Sequence, residues 1–351
     1  MSDAATPSGG LYARQIRVRR AALLTASAAL CLLLAADLVT GPSGMSLADL
    51  NTALWAGPAG EDRAAAAILW QIRLPQSIMA ALVGASLGLA GLMMQTILNN
   101  PLASPFTLGF SAAAGFGAAL SILVGGLWGL PQWLQTPISA FAMTLAAAAL
   151  IYLIARLKGA APEVLVLAGI AVLFFFQSLQ SLVQFMASPE VLQQIVFWLF
   201  GSLLKASWTS VQVCGAILLL CLPLVMRDAW NLTSLCMGDA NAASLGLDVN
   251  RLRRRSFLLV AALTAGAVCF TGTIGFVGLI APHIARAAVG EDHRFALPTA
   301  ALMGAVILVA ASVIGKLISP GAVIPVGIIT AIAGIPMLMA VILSLRPTGA
   351  R

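Results

Sequence analysis

Long apolar stretches separated by short polar ones run through the whole chain. Because a helix needs about 20 apolar residues to cross a bilayer, we expect most of these stretches to be membrane-spanning helices. The ten predicted helices cover residues 21–40, 74–98, 105–127, 132–155, 164–186, 209–226, 255–274, 276–289, 296–318 and 324–345. The stretch 276–289 is too short to cross unless it is tilted or belongs to a broken pair of helices. The pattern predicts an all-α polytopic membrane protein.

Composition supports this prediction. Hydrophobic residues make up 60% of the chain and charged residues 9%, whereas a soluble domain has roughly 25% charged residues. Between Leu74 and Ala155 there is no Asp, Glu, Lys, Arg or His. The apolar stretch that follows the polar, basic N-terminus is too long for the core of a cleaved signal peptide. We therefore expect an integral inner-membrane protein without a soluble domain.

The distribution of Lys and Arg predicts the orientation. If the N-terminus lies inside, fifteen of the 19 Lys and Arg residues fall on the cytoplasmic side and four on the outside. The positive-inside rule then places both termini in the cytoplasm, with a cytoplasmic tail over 1–20 and a membrane domain over 21–346. The net charge of +7 comes from these connecting segments. Since there is no basic face or aromatic platform, it does not indicate nucleic-acid binding.

Two segments outside the predicted helices are longer than a turn. Over residues 188–207 the sequence predicts a short periplasmic helix at the membrane surface, with Phe197 and Trp198 on its aromatic edge. Residues 227–255 form the largest cytoplasmic element, and their centre, from Gly238 to Gly246, is rich in small residues. Small residues permit close approach of another protein, but an ordinary connecting loop explains them equally well.

Two copies of a landmark pattern suggest an internal repeat. The residues Arg73, Gly91, Pro101 and Gly109 recur 181 positions later as Arg254, Gly272, Pro282 and Gly290. A period this long predicts a duplicated block of helices, with chance matching as the alternative. The predicted orientation makes the two blocks inverted, an arrangement found in transporters. Within the first block, the spacing of Gly84 and Gly88 predicts backbone-to-backbone packing of helices.

Several short motifs occur in a specific order along the chain. They are Arg73-Leu74-Pro75, Asn100-Pro101-Leu102-Ala103-Ser104-Pro105, Trp198-Leu199-Phe200-Gly201-Ser202, Gly272-Thr273-Ile274-Gly275-Phe276, Ala281-Pro282-His283, Gly290-Glu291-Asp292-His293-Arg294 and Pro325-Val326-Gly327. Over roughly residues 60–345, this ordered set resembles the permease family of bacterial ABC importers for haem, ferric siderophores and vitamin B12. Each motif alone is weak, but the ordered set is specific.

The resemblance implies the fold and partners of a type II ABC importer permease with ten transmembrane helices. It implies a homodimer of this chain, two cytoplasmic ABC ATPase subunits and a periplasmic substrate-binding protein. It also implies that the chain holds no cofactor, because ATP and Mg would bind the partner ATPase. In agreement, the sequence contains no Gly-x-x-x-x-Gly-Lys-[Ser/Thr] phosphate loop. Alternating access would move an iron chelate from the periplasm to the cytoplasm.

The resemblance also implies roles for individual residues. Asn100 and Leu102 would contribute to a cytoplasmic gate, with a plain proline-terminated turn as the alternative. Arg73 and Lys316 would bind acidic residues of the docked binding protein, with anchoring at the membrane interface as the alternative. The cytoplasmic region 227–255 would be the coupling region, and its segment Gly238–Gly246 would contact the ATPase. Its candidate coupling residues are Gly238, Asp239, Ala243, Leu245 and Gly246.

The two histidines, His283 and His293, are candidate iron ligands if haem is the cargo. Because both lie at or near predicted helix ends on the cytoplasmic side, we favour helix-end hydrogen bonding or ATPase contact instead. The five cysteines show no paired spacing and indicate neither a disulfide framework nor a metal site. No metal site is therefore predicted.

Haem or a ferric siderophore is the preferred substrate, and vitamin B12 is the alternative. A secondary transporter would need membrane-embedded acids or histidines as proton or sodium sites, which the charge-free run disfavours. A membrane subunit of a respiratory complex would need pairs of histidine or cysteine ligands on facing helices, and the sequence suggests none.

Overall fold

The computed structural model describes residues 8–42, 45–60, 62–125, 129–318 and 323–344, and its regular secondary structure within these ranges is helical. The α-helices are α1 (Ser8–Val39), α2 (Leu47–Ala56), α3 (Arg63–Ala67), α4 (Leu74–Ile97), α5 (Phe110–Val124), α6 (Gln132–Lys158), α7 (Pro162–Met186), α8 (Pro189–Leu199), α9 (Trp208–Arg227), α10 (Ala229–Leu235), α11 (Asp239–Ser244), α12 (Val249–Thr271), α13 (Val277–Val289), α14 (His293–Ile318) and α15 (Val326–Ser344). A π-helical segment, Ile68–Arg73, joins α3 to α4.

Ten of these elements coincide with the ten apolar stretches of the sequence. Within the described residues, seven helical segments are long and apolar enough to cross a membrane. They are α1, α6, α7, α9, α12, α14 and the continuous segment Arg63–Ile97, which contains α4. The helices α5, α13 and α15 are apolar but shorter. A multi-pass, all-α membrane fold is thus confirmed, while the number of complete crossings stays a prediction.

The first helix begins earlier than expected. α1 starts at Ser8, so most of the predicted tail 1–20 is helical and continuous with the first apolar stretch. Arg19 pairs with Asp292 at 2.9 Å and lies over the Phe295 ring, 5.2 Å from its centroid. These contacts with residues at the start of α14 stabilise the helical conformation of the polar segment before residue 21.

α4 lies at the centre of the bundle and packs against α12, α13 and α14. A methyl group added to Gly84 would lie 2.3 Å from the Gly304 carbonyl oxygen, and one added to Gly88 would lie 2.2 Å from the Ala300 carbonyl oxygen. The predicted backbone-to-backbone packing is confirmed, and α14 is the partner helix. Gly91 makes an equally close approach to α13.

Two blocks of four helices repeat, α4–α7 and α12–α15, and the second helix is the shortest in each. The Arg253 side chain, near the start of α12, donates to the carbonyl oxygen of Ile97 at the end of α4, so these equivalent helices run in opposite directions. The offset of 181 residues between the landmarks is wrong, because it does not pair equivalent positions of the two blocks. Gly109 precedes α5 whereas its counterpart Gly290 follows α13, because the connecting segments differ in length.

Charged residues distinguish the two ends of the bundle. The basic end carries Arg19, Arg253 and Arg294, and the opposite end carries Asp37, Arg73 and Lys316. At the basic end, hydrogen bonds from Arg294, together with the charges of Arg294 and Arg19, hold the pKa of Asp292 below its ordinary value despite partial burial.

Candidate functional site

The chain is not helical in two places between apolar helices. Residues 98–109 separate α4 from α5, and residues 272–276 separate α12 from α13. The predicted helix 105–127 therefore begins too early: Gly109 has a φ of 82° and α5 starts only at Phe110. Non-helical backbone at membrane depth is tolerated where it is buried in protein or lines a cavity. Here, both interruptions line the same groove.

This groove has a volume of about 610 Å³. Its wall is mainly apolar, with hydroxyl groups from Ser104, Thr107 and Thr273, and none of the described residues that line it is charged. The remaining lining residues are Leu102, Phe106, Leu199, Phe200, Gly275, Phe276, Leu279, Gly327, Ile328, Ala331 and Leu338. Such a surface can accommodate a bulky ligand without holding it through charges.

Three glycines hold the wall of the groove together. Gly201 and Gly272 have φ values of 70° and 75°, and a methyl group on Gly272 would lie 2.1 Å from the Trp198 carbonyl oxygen. The Gly327 amide donates to the Gly201 carbonyl at 3.1 Å, and the Ser202 amide donates to the Thr271 carbonyl at 2.7 Å. Both positive φ and close backbone approach require glycine here. Three family-like motifs thus meet at one junction.

The predicted gate residues lie on the first interruption. Leu102 lines the groove and is 37% exposed. Asn100 is exposed, and its Oδ1 accepts a hydrogen bond from the Leu102 amide at 2.9 Å. The preceding residue, Asn99, has a φ of 46°, which lets the chain turn away from α4. Leu102 therefore contacts the groove directly, whereas Asn100 holds the turn; their role as a gate stays a prediction.

The predicted coupling segment is exposed at the basic end. It contains α11, and Ala243 and Gly246 are exposed, as is Leu245 with 62% of its surface. Gly238, with a φ of 96°, precedes α11 and turns the chain into it. Asp239, the first residue of α11, faces Arg253 of α12. The segment thus presents small and apolar surface outward, while one carboxylate points back to the bundle.

Nothing in the sequence pattern singled out Arg253, yet this residue connects two predicted sites. Its two Nη atoms donate to the Asp239 carboxylate at 2.7 and 2.6 Å, and its Nε donates to the Ile97 carbonyl at 2.8 Å. Ile97 ends α4, just before the turn that carries Asn100 and Leu102. A buried guanidinium therefore joins the coupling segment to the base of the predicted gate.

The predicted docking residues lie at the opposite end, and both are buried. Arg73 is 4% exposed and Lys316 9%. Lys316 Nζ lies 2.8 Å from Asp37 Oδ1, and Arg73 Nη1 donates to the carbonyl oxygens of Leu38 and Val39. Asp37, a fully buried acid that the sequence did not single out, also accepts a hydrogen bond from a serine of α4. These contacts fasten the end of α1 to α4 and α14.

His293 makes helix-end hydrogen bonds, as predicted. It is fully buried at the start of α14, with Nε2 2.7 Å from Thr96 Oγ1 and Nδ1 2.9 Å from the Glu291 carbonyl oxygen. His283 lies in α13 and is half-buried. Nothing in the described part of the chain groups three or more His, Cys, Asp or Glu side chains in a way that could hold a metal ion.

Comparison with known proteins identifies the family. Residues 28–344 match the model of the FecCD transport family. The chain is 36% identical to the Fe(3+) dicitrate transport system permease protein FecD of Escherichia coli over 279 residues, covering 80% of this chain and 86% of that one. It is 34% identical to the hemin transport system permease protein HmuU of Yersinia pestis over 282 residues, covering 79% and 84%.

A third relative is the cobalamin import system permease protein BtuC of Halobacterium salinarum, 35% identical over 283 residues, with coverage of 80% and 74%. Among solved structures, the fold matches an ABC transporter described as of the metal-chelate type, in an inward-facing conformation. The TM-score is 0.81 at 29% identity, and the match covers 92% of this chain and 99% of that one. The chain therefore belongs to the FecCD transport family, as a permease of ABC importers of the iron-chelate and vitamin B12 class.

Proposed function

We propose that this chain imports an iron chelate, haem or a ferric siderophore, from the periplasm to the cytoplasm by alternating access. The observation that carries the proposal is the groove of about 610 Å³ built from the interruptions of both helix blocks. Its apolar wall suits the transient passage of a large, planar or greasy cargo. Relatives named for ferric citrate and for hemin support iron chelates first, and the relative named for cobalamin supports vitamin B12 as the second candidate.

The pathway lies between two copies of the chain in this proposal. Leu102, Phe106 and Phe200 line the groove yet keep 37%, 42% and 40% of their surface exposed, so the groove is open on one side. A second permease copy facing the first would enclose it. The two copies of Leu102 would then narrow the cytoplasmic end of the pathway, and retraction of the turn would open it.

ATP hydrolysis on two partner ATPases drives this movement. The small and apolar residues of Gly238–Gly246 pack into the ATPase, and the Asp239–Arg253–Ile97 connection carries the displacement to the turn before Leu102. This assignment puts the basic end in the cytoplasm, with both termini, as the positive-inside rule predicts. An Ala243→Arg variant should insert normally but lose ATP-driven uptake, because a long charged side chain prevents close packing against the ATPase. Normal uptake by this variant would exclude the segment from coupling.

A periplasmic binding protein delivers the cargo at the opposite end. Docking through Arg73 and Lys316 requires acidic groups of the binding protein to compete with Asp37 and with the backbone carbonyls that now hold these two side chains. Arg63 and Lys205 lie on the same predicted side and are already exposed. Exposed ion pairs add little affinity individually but steer and orient the encounter.

The test is reconstitution of the permease with its ATPase and binding protein in proteoliposomes. Uptake of iron from haem or a ferric siderophore is expected to require both partners and ATP. If only cobalamin is taken up, cobalamin and not an iron chelate is the cargo. Uptake that needs an ion gradient and no ATPase would overturn the importer mechanism in favour of a secondary transporter.

A further inference from the structure

A second cavity at the basic end lies outside the pathway. It is a groove of about 620 Å³ between α6, α9 and α12, and four arginines line it. They are Arg156 from α6 and Arg251, Arg254 and Arg255 from α12. The apolar part of the lining includes Leu224 and Leu258. Neither the pathway nor the coupling segment uses this groove.

The positive charge in the groove is poorly compensated. Arg255 pairs with Asp228, Nη1 to Oδ2 at 3.3 Å, but its Nη2 is buried without a hydrogen-bond partner. Among the residues that the structure describes, no acidic side chain pairs with Arg156, Arg251 or Arg254. Arg251 also lies in the first turn of α12, where the helix dipole disfavours positive charge. A bound anion would relieve both the mutual repulsion and the unfavourable dipole.

The apolar side of the groove is exposed on the surface of candidate membrane-spanning helices. Leu224 and Leu258 are 41% and 47% exposed, and both belong to helices that are candidate membrane spans. The arginines lie where the apolar stretches of α6 and α12 meet their polar ends. A ligand that fits this arrangement carries its negative charge at the membrane surface and its hydrocarbon part along the leucines. Free anions lack the second feature, and an acidic protein surface would not follow the leucines into the bilayer.

We propose that this groove binds the phosphate of an anionic phospholipid, such as phosphatidylglycerol, with an acyl chain along Leu224 and Leu258. Arginine suits the site because its fork of donors matches phosphate oxygens. Tyr152, half-buried in the same lining, adds a hydroxyl donor at the headgroup level. Basic pockets between transmembrane helices are a general site for anionic headgroups.

The test compares two variants that remove equal charge from the same end of the bundle. One carries Arg156→Gln, Arg251→Gln and Arg254→Gln. The control carries Arg14→Gln, Arg17→Gln and Arg20→Gln, three exposed arginines of α1. Arg255 is retained in both because it pairs with Asp228.

Phosphatidylglycerol retained by the detergent-purified importer complex is measured by native mass spectrometry, and its affinity by titration into delipidated complex. A surface arginine contributes about fivefold to anionic-lipid affinity, so the groove variant should lose about a hundredfold and the control much less. Phosphatidylcholine and inorganic phosphate serve as competing probes, and neither should displace phosphatidylglycerol.

Three results would overturn the proposal. Equal loss in both variants would indicate non-specific charge attraction. Displacement by inorganic phosphate would make the ligand a free anion. Unchanged lipid affinity with loss of the ATPase from the groove variant would assign the arginines to the subunit interface.

Discussion

The connection from Asp239 through Arg253 to Ile97 leads to the sharpest prediction. Replacing Arg253 with Met keeps the length of the side chain but removes all three hydrogen bonds. We expect the variant to insert, to bind the ATPase and to hydrolyse ATP, yet to lose most substrate uptake. The physical reason is that movement of α11 would no longer reach the end of α4, where the turn with Leu102 begins.

The magnitude follows from burial. The Arg253 side chain is 3% exposed, whereas that of Asp239 is 53% exposed, so solvent screens the ion pair on one side only. Losing the buried donor to the Ile97 carbonyl costs about 1–3 kcal/mol. Asp239→Asn keeps one hydrogen-bond acceptor but removes a negative charge that solvent partly screens. This change should lower the free energy of unfolding by about 1 kcal/mol. Coupling energies between sites are typically about 1–3 kcal/mol, so uptake should fall by about 5- to 150-fold.

The assay measures substrate uptake and ATP hydrolysis in the same proteoliposomes, and thermal stability in detergent. Arg253→Lys, which keeps the charge but not the planar fork, should restore only part of the uptake. In the double variant Arg253→Met and Asp239→Asn, uptake should be no lower than with Arg253→Met alone, because both residues act through one connection. Arg294→Met is the control, since it removes an ion pair with Asp292 at the same end of the bundle.

Two outcomes would refute the reasoning. If Arg253→Met lowers stability while uptake per ATP hydrolysed stays normal, the guanidinium is only structural. If Arg294→Met lowers that ratio equally, any ion pair at the basic end suffices and the specific route to Ile97 is wrong.

Further predictions concern the gate, the central helix and docking. Leu102→Cys should crosslink between two permease copies in one nucleotide state only; crosslinking that is equal with and without ATP, or absent in both, would remove it from the gate. Gly91→Ala should lower stability by about 1–3 kcal/mol, because the added methyl carbon would lie 1.8 Å from a backbone oxygen of α13. Gly215→Ala is the control: its methyl carbon would lie 3.6 Å from the nearest atom, so thermal melts should show no comparable loss. Lys316→Gln should weaken salt-sensitive binding-protein association more than Lys205→Gln; the reverse order would move docking to the exposed lysine.

The connections between sites could not be predicted from the sequence. Arg253 and Ile97 are 156 residues apart, and Lys316 and Asp37 are 279 residues apart. Such pairs form only because the bundle brings the ends of particular helices together. For the same reason, Arg73 and Lys316 looked like exposed outer charges, although the end of α1 covers them.

Local pattern was enough for the class of protein and for the approximate positions of its apolar helices. Each of the ten apolar stretches contains an apolar helix, since the bilayer requires backbone hydrogen bonds to be satisfied within the segment itself. The spacing of Gly84 and Gly88 likewise predicted close helix packing without naming α14 as the partner. Tertiary structure decided the rest: which interruptions share a groove, which charges are buried and which arginine joins the coupling segment to α4. These depend on distances between remote segments, and a linear pattern of residue types does not contain them.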